Sequence, residues 1–472
     1  MEDYYTMIDE MGNWYGIELN CYGRTIQIWD SAKKFPGCSV QAISELYKIE
    51  GKKEKPYFDL YRPVGYVPTP EEIEYCLQDS RIIAHAMYLE GKEGHNGMTL
   101  SSDAFYNVIQ TIGGKDAYRA YMPLLSPEDD EKVRLAYKGG WVYVNPIYQN
   151  KVLRNITVYD VNSLYPWVMH DCPLPVRKPM YRKPIGKELY IMEFESIFEL
   201  ESGFPTIQLK HQPEYRDTEY LTKVDMPVKL CLTNIDFKLF EENYNIEYMS
   251  EPKYISFHPK TGLLAPYIDK WMKVKEEATI EGDKARRYIS KRWMNSPYGK
   301  TGMRGDRINK LPMCSEAGNI AYNMYKSETD AIYVPYATFV CAWARDKTIR
   351  SAQAVSEHFV YADTDSIHVL EGDHGNIDID SVRLGAWKNE GTFEYGKYLR
   401  AKTYIHGKSI DGRITATDIT CAGMPDRIKQ CCSWDEFKIG AEFNGKIVQK
   451  QVPGGCLLCE TTFKIKESGI NG

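Results

Sequence analysis

The pattern that most constrains this chain is a pair of aspartates separated by one residue, Asp363-Thr364-Asp365. Apolar runs flank the pair, at residues 359–361 before it and 367–370 after it. This order predicts a strand, a tight turn and a second strand, with both carboxylates at the turn. Carboxylates this close repel, and both stay ionised when a cation lies between them. The pattern therefore predicts a divalent-metal site at a hairpin, although an ordinary turn without metal is also compatible with it.

A second acidic residue has a similar setting. Residues 155–159 predict a buried strand, and Asp160 follows at its end, where the chain turns into a predicted helix. The amides after Asp160 are expected to point into the site and to bind phosphate oxygens. If folding joins Asp160 to Asp365, two metal ions held between them would suit an in-line phosphoryl displacement. Alternatively, Asp160 only caps the turn that follows it.

A cationic stripe forms the third candidate feature. Residues 266–296 contain few turn-forming residues and predict a mostly helical stretch. Four polar residues recur near its end at spacings of four, four and three, which places them on one helix face: Arg287, Lys291, Asn295 and Tyr298. Such a face could bind a triphosphate and stack on a base, whereas a solvated charged face is the alternative, above all for Arg287. Pro297 is expected to interrupt the helix just before Tyr298.

Together these segments resemble the motifs of family B DNA polymerases, in the same order along the chain. Residues 160–166 are similar to motif A, 291–299 to motif B and 361–366 to motif C. Two further stretches resemble motifs of the protein-primed subgroup, the polymerases of the phage phi-twenty-nine type. Residues 137–140 are similar to its Tyr-Gly-Gly motif, and residues 402–404 to its Lys-x-Tyr motif.

The resemblance implies an α+β right-hand polymerase fold with palm, fingers and thumb, two subgroup-specific insertions and, in front, a partial RNase H-like 3′–5′ exonuclease domain. The domains it implies are a partial exonuclease-like domain at 1–100, a palm at 101–171 and 335–423, a first terminal-protein-region insertion at 172–266, fingers at 267–302, a second such insertion at 303–334 and a thumb at 424–472.

The resemblance also implies roles for single residues. Asp160 and Asp365 would bind two Mg²⁺ ions, for which Mn²⁺ can substitute, with help from the Val161 carbonyl. Asp363 would be a third catalytic acid with an indirect role. Tyr165 would lie under the incoming sugar and exclude a 2′-hydroxyl. The other implied nucleotide contacts are Lys275, Arg287, Lys291, Asn295 and Tyr298. The implied DNA contacts are Tyr137, Gly139, Gly140, Ser163, Thr364, Lys402 and Tyr404.

The front of the chain departs from the family pattern. Its first hundred residues contain no Asp-x-Glu triplet, and only Tyr75 and Asp79, on a predicted helix, match the third exonuclease motif. One acid cannot hold two metals, so we expect this pair to be a remnant, or half of a site completed by a separate exonuclease fragment. A start assigned too far downstream, or a decayed gene, would account for the same departure. Residues 14–19 and 25–29 predict a hairpin with an unpaired apolar edge.

The function implied is template-directed addition of dNTPs to a primer 3′-hydroxyl, in protein-primed replication of a phage or linear-plasmid genome with strand displacement and with proofreading absent or incomplete. The expected partners are template-primer DNA, dNTPs and a terminal priming protein. The alternatives are a catalytically silent DNA- or terminal-protein-binding remnant of a prophage gene, and a polymerase of another specificity such as a reverse transcriptase. Tyr165 disfavours ribonucleotides.

Composition places limits on partners and compartment. The net charge of −6 is not typical of a nucleic-acid binder, so DNA binding must come from local patches. One such patch would be Lys270, Lys273, Lys275, Arg286, Arg287, Lys291 and Arg292. The longest apolar stretch, 331–344, is too short to span a bilayer, and no leader is recognisable. Twelve irregularly spaced cysteines suggest reduced thiols in a cytosol. The resemblance to phage polymerases implies that this is the cytoplasm of a bacterial host, and we expect no membrane association.

Overall fold

The computed structural model describes residues 3–9, 12–50, 62, 63, 65–209, 219–316, 320–328, 332–452 and 455–467. The chain divides into two compact units. The first unit comprises Met1–Leu124, Leu263–Met313 and Tyr322–Ile332. The second unit comprises Leu125–Gly262, Cys314–Ala321 and Tyr333–Gly472.

Both helices and strands are present, as the predicted α+β class requires. The strands are β1 Asp3–Ile8, β2 Trp14–Cys21, β3 Arg24–Trp29, β4 Val142–Val144, β5 Val152–Val161, β6 Leu174–Met180, β7 Leu189–Leu200, β8 Lys223–Thr233, β9 Tyr244–Met249, β10 Lys253–Lys260, β11 Asp306–Cys314, β12 Ile320–Glu328, β13 Phe359–Asp363, β14 Ser366–Leu370, β15 Trp387–Arg400, β16 Thr403–Ile410, β17 Arg413–Cys421, β18 Glu442–Val452 and β19 Gly455–Lys464. The helices are α1 Val40–Leu46, α2 Pro70–Lys92, α3 Leu100–Ile112, α4 Lys115–Tyr121, α5 Pro127–Arg134, α6 Leu164–Asp171, α7 Asn234–Asn243, α8 Ala265–Glu281, α9 Lys284–Thr301, α10 Val334–Val355 and α11 Asp426–Lys429.

A seven-stranded sheet in the order β17-β16-β15-β5-β14-β13-β4 forms the centre of the second unit. Its neighbouring strands pair antiparallel. The predicted strand, turn and strand around the paired aspartates are confirmed as β13 and β14. The predicted strand before Asp160 is β5, which continues one residue further, to Val161. Helix α10 packs against β13 and β14, and its first three turns are buried on most sides because residues 334–344 are almost all apolar.

The second sheet of this unit has the order β6-β10-β7-β8, with β9 paired to β7. Its core is aromatic: Phe194, Phe198 and Phe240 are nearly or fully buried, and their rings lie 5.1–6.3 Å apart. Strands β18 and β19 pair as a hairpin near the end of the chain. Phe463 of β19 packs in one cluster with Trp434 and with Ile405 of the central sheet.

The first unit contains the predicted hairpin at its front. Strands β2 and β3 pair across a turn in which Tyr22 and Gly23 have φ of 49° and 69°, as in the tight turns that hairpins favour. Strand β1 adds to β2, so β3 is an edge of this sheet. The predicted apolar exposure is confirmed on β3, where Ile26 and Ile28 are 48% and 54% exposed.

The long helical stretch predicted in this unit is divided into α8 and α9. Gly282, with φ of 72°, ends α8 in a left-handed conformation that glycine adopts without strain. Asp283 then caps α9, because its side chain accepts a hydrogen bond from the Arg286 amide at 2.9 Å. Within the ranges given above, no helix is long and apolar enough to cross a membrane.

A buried ion pair ties α10 to α7. The Arg345 guanidinium donates to both carboxylate oxygens of Asp236 at 2.9 and 2.7 Å, and each side chain is at most 12% exposed. Burial raises the pKa of Asp236, but the charge and hydrogen bonds of Arg345 outweigh burial, so the pKa is lowered overall. The pair therefore stabilises the fold above the pKa of the unfolded carboxyl, about 4, and the contribution falls as pH drops through the lower folded pKa.

We expect Arg345→Met to lower the free energy of unfolding by about 3–5 kcal/mol, because Asp236 would keep a buried charge without its partner. Lys238→Met is the control on α7, the helix that carries Asp236, since Lys238 is 67% exposed and lies 3.9 Å from Glu242. It should cost less than about 1 kcal/mol. Urea unfolding at pH 7 measures both changes, and equal losses would contradict the role of the buried pair.

Candidate active site

The pairing of β5 with β14 brings the predicted metal-binding acids together. Asp160 lies opposite Ser366 in the register of these strands. The Val161 amide donates to the main-chain carbonyl of Asp365 at 2.7 Å. Asp160 on β5 and Asp365 in the turn before β14 therefore lie at the same end of the sheet, and both are half-buried.

The turn that carries Asp365 is held in a strained conformation. Thr364 has φ of 59°, a region that a β-branched residue rarely adopts. Its amide donates to the Trp141 carbonyl at 2.9 Å, and its carbonyl accepts from the Thr348 hydroxyl at 2.6 Å. These two hydrogen bonds come from separate elements, so the packing around the turn determines its conformation.

The third acid, Asp363, is paired with Lys402. The Lys402 ammonium lies 2.7 and 2.9 Å from the two oxygens of the Asp363 carboxylate. Tyr361 joins the same group, because its hydroxyl donates to Asp363 at 3.3 Å and accepts from the Lys402 amide at 3.0 Å. Burial and the Asp363 carboxylate raise the pKa of Tyr361, which keeps this hydroxyl protonated. The Tyr404 ring lies 5.2 Å from the Tyr361 ring.

The donor atoms fit a divalent metal of the magnesium type. Mg²⁺ binds to one or two carboxylates and takes its remaining oxygens from water and substrate phosphates. Asp160 and Asp365 supply two carboxylates at one end of the sheet, whereas Asp363 is paired with a lysine. In the described part of the chain, no group of three or more His, Cys, Asp or Glu side chains is arranged to hold a metal by itself. Two carboxylates are within the number that a Mg²⁺ ion takes from protein when substrate phosphates and water complete its coordination.

The chain after Asp160 differs from the expectation in one respect. The Val161 and Asn162 amides donate to the carbonyls of Asp365 and Ala386, at 2.7 and 2.9 Å. The prediction that these amides bind phosphate is therefore wrong for these two, because the sheet continues past Asp160 and its neighbouring strands use both donors. Asp160 is not the N-cap of α6 either, since Ser163, with φ of 56°, occupies that position.

The remaining predicted palm residues lie on neighbouring segments of the same unit. Tyr165 is half-buried in the first turn of α6. Arg345 donates to the carbonyls of Lys138 and Gly139, both at 2.7 Å, and so fixes the Tyr-Lys-Gly-Gly segment. A Cβ atom added to Gly140 would lie 2.6 Å from the Thr364 side chain. This segment is therefore in close contact with the turn that carries the acids.

The predicted nucleotide contacts other than Tyr165 belong to the first unit. Lys275 lies on α8, and the predicted stripe lies on α9: Arg287, Lys291, Asn295 and Tyr298. Arg287 and Lys291 are exposed, whereas Asn295 is half-buried and donates to the Lys291 carbonyl at 2.8 Å. Of the predicted cationic patch, Arg286 pairs with Glu277 and Glu281 at 2.8 and 3.1 Å, so its charge is partly neutralised.

The prediction that Pro297 interrupts the helix is wrong. Helix α9 continues to Thr301 with Pro297 inside it. The Trp293 carbonyl, which would accept the amide that proline lacks, accepts the Tyr267 hydroxyl at 2.9 Å instead. A tertiary hydrogen bond thus replaces the one lost within the helix.

Tyr75 and Asp79 lie one turn apart on α2 in the first unit, as predicted, and both are half-buried. Their assignment as an exonuclease remnant stays a prediction. Residue patterns missed the contributions of Arg345 and Tyr267. The available signal for the first was a charged residue directly after eleven largely apolar residues of α10, and nothing in the local sequence marked the second.

Comparison with known proteins gives consistent results. A family model described as DNA polymerase type B, organellar and viral, matches residues 4–383. The DNA polymerase of Bacillus phage phi29 is 38% identical over 496 residues, covering 98% of this chain and 84% of the phage protein. The DNA polymerase of Streptococcus phage Cp-1 is 32% identical over 479 residues, covering 98% and 83%. The structure of phi29 DNA polymerase complexed with primer-template DNA and incoming nucleotide substrates matches with a TM-score of 0.90 at 34% identity, covering 98% of this chain and 85% of that one.

We expect Gly140→Ala to reduce nucleotide addition roughly ten- to a hundredfold, because the new methyl group must displace Thr364 and with it the turn between the acids. Gly91→Ala on α2 is the control outside the proposed DNA contacts, since a Cβ atom there lies 3.4 Å from the end of the Asn96 side chain and close to no other group. It should lose far less activity. Primer extension by the two variants measures the difference, and equal losses would contradict a steric effect on the turn.

Proposed function

The chain belongs to the type B DNA polymerases of organelles and viruses, and on that premise we propose how its residues carry out template-directed DNA synthesis. It is a right-hand family B polymerase that adds deoxynucleotides to a DNA primer. The observation that carries the proposed mechanism is the adjacency of Asp160 and Asp365 on β5 and in the turn before β14. A silent binding remnant is not favoured, because all three acids are present and the relatives are DNA polymerases.

Asp160 and Asp365 would hold two Mg²⁺ ions, or Mn²⁺ in their place, with the Val161 carbonyl as an additional ligand. When bound, the metal ions lower the pKa of the primer 3′-hydroxyl and neutralise charge on the triphosphate. Asp363 acts indirectly: its ion pair with Lys402 offsets one negative charge beside the site and orients the lysine. Lys402 and Tyr404 hold the end of the primer strand, where the hydroxyl must be aligned with the α-phosphate.

The incoming nucleotide binds to two sets of residues. Lys291 pairs with the triphosphate and Arg287 is a secondary phosphate contact, because exposed cations on one helix face suit a polyanion. Lys275, half-buried on α8, is a further secondary phosphate contact. Asn295 and Tyr298 shape the pocket of the nascent base pair. Tyr165 lies under the sugar, where its ring leaves no room for a 2′-hydroxyl.

The DNA duplex contacts the segments around the turn of the acids. The proposed contacts are Tyr137, Gly139, Gly140, Ser163, Thr364, Lys402 and Tyr404. A relative of this chain has been solved with primer-template DNA and incoming nucleotides, which supports these two partners. The insertions at 172–266 and 303–334 bind a terminal priming protein and the DNA. The other domains of this proposal are a palm at 101–171 and 335–423, fingers at 267–302 and a thumb at 424–472. The site of action is the cytoplasm of a bacterial host, as several relatives are phage proteins.

Asp365→Asn should reduce primer extension by roughly a thousandfold or more, because metal-held charge stabilisation is worth several kcal/mol. DNA binding should be largely retained. Asp411→Asn is the matched control, since this exposed acid lies in the turn between β16 and β17 and should support normal extension. Extension of a labelled template-primer with Mg²⁺ and dNTPs tests both. Normal synthesis by Asp365→Asn would overturn the metal role, and no synthesis by folded wild type would overturn the proposed function.

Tyr165→Val should relax discrimination against ribonucleotides by on the order of tenfold or more, because a smaller side chain leaves room for the 2′-hydroxyl. Tyr165→Phe keeps the ring and should keep the selectivity. Insertion rates for dNTP and rNTP opposite the same template base give the ratio directly. An unchanged ratio in Tyr165→Val would remove the steric assignment.

A further inference from the structure

The carbonyl of Trp293 has a hydrogen-bond partner that lies outside its own helix. In an α-helix the amide of each residue donates to the carbonyl four residues earlier. Pro297 has no amide hydrogen, so it cannot donate to the Trp293 carbonyl. Trp293 is only 4% exposed, and a buried carbonyl without a partner is costly. The Tyr267 hydroxyl, which is fully buried on α8, donates to this carbonyl at 2.9 Å. One side chain thus compensates for the proline.

The same face of α8 also fixes the Trp293 side chain. Trp271 follows Tyr267 by one helical turn, and its ring stacks on the Trp293 ring with 4.4 Å between centroids and 25° between planes. The His95 ring lies 4.8 Å from the Trp293 ring, at an interplanar angle of 54°. Helix α8 therefore contacts both the main chain and the side chain of Trp293, which restricts sliding and rotation of α9 on α8.

This contact lies between the functional residues of α9. The buried face of the helix consists of Ser290, Trp293, Met294, Pro297 and Thr301. Lys291 is exposed, Asn295 and Tyr298 are half-buried, and all three lie within five residues of Trp293. A helix that loses a main-chain hydrogen bond at this point would be free to open locally, and these three side chains would move with it.

We propose that Tyr267 is a positioning residue for the incoming nucleotide. It donates to the Trp293 carbonyl, which has no amide donor in the helix because residue 297 is proline, and it thereby holds the turn of α9 that carries Lys291, Asn295 and Tyr298. The inference rests on the proposed function, which assigns these three residues to the nucleotide. Burial raises the pKa of Tyr267 well above its ordinary value, so the hydroxyl remains a donor at any working pH.

The dependence on proline makes the proposal testable by a double-mutant cycle. Tyr267→Phe removes only the hydroxyl and leaves the Trp293 carbonyl without a partner. Pro297→Ala restores the amide, so that the helix can supply the hydrogen bond itself. Tyr267→Phe should therefore change nucleotide binding and amide exchange in α9 when residue 297 is proline, and should change them little when it is alanine.

The experiment compares wild type, Tyr267→Phe, Pro297→Ala and the double variant. Single-nucleotide insertion with Mg²⁺ gives KM for dNTP and kcat, and hydrogen–deuterium exchange gives the protection of amides in 284–301. Tyr267→Phe should raise KM roughly three- to tenfold, with a smaller change in kcat and faster exchange in α9. In the Pro297→Ala background, adding Tyr267→Phe should alter KM less than about twofold. Tyr118→Phe is the matched control, since this buried hydroxyl has no hydrogen-bond partner among the described residues.

Equal effects of Tyr267→Phe in both backgrounds would overturn the proposal, as would an unchanged KM with only a lower Tm. If Tyr267→Phe does not fold alone, recovery of folding by Pro297→Ala supports the replacement hydrogen bond, and no recovery overturns it. Failure of wild type to extend primers would overturn the proposed function and the nucleotide role with it. The exchange measurements would still decide whether Tyr267 replaces the hydrogen bond of the proline.

Discussion

The antiparallel pairing of β5 with β14 is the constraint on which the site depends. It places Asp160 opposite Ser366 and joins the Val161 amide to the Asp365 carbonyl, so that two acids distant in sequence become neighbours. A strand register cannot slip by one residue without turning every side chain to the other face of the sheet. The apolar residues of both strands therefore hold the acids in position, because their burial favours this one register.

Electrostatics shape the rest of this site. Three carboxylates near one turn would repel one another, and Lys402 offsets one of them by its bidentate contact with Asp363. Tyr361 links the two through one hydroxyl, which donates to the acid and accepts from the lysine amide. Farther away, Arg345 applies the same principle: it neutralises the buried Asp236 and uses its remaining donors to hold the Lys138 and Gly139 carbonyls. Charge balance and segment placement are thus achieved by the same side chains.

Helix α9 shows how a locally unfavourable residue can be retained. Proline inside a helix removes one hydrogen bond, at a cost that local sequence alone cannot offset. The hydroxyl of Tyr267 on α8 donates to the Trp293 carbonyl, and the Trp271 ring stacks on the Trp293 ring. The helix consequently continues through the motif that carries Lys291, Asn295 and Tyr298, with its shape determined by a neighbouring helix.

The sequence by itself determined the secondary structure around the acids and the family to which the chain belongs. Apolar runs on both sides of Asp363 and Asp365 sufficed to predict β13 and β14, because alternation and turn chemistry act between near neighbours. Spacing likewise predicted that Arg287, Lys291 and Asn295 share one helix face, whereas the expected break at Pro297 does not occur. The tertiary structure decided which groups meet. The use of the Val161 and Asn162 amides by neighbouring strands, the ion pair of Lys402 with Asp363 and the partner of the Trp293 carbonyl all join residues far apart in the chain. Such contacts depend on how elements pack in space, and no local pattern of residues encodes that.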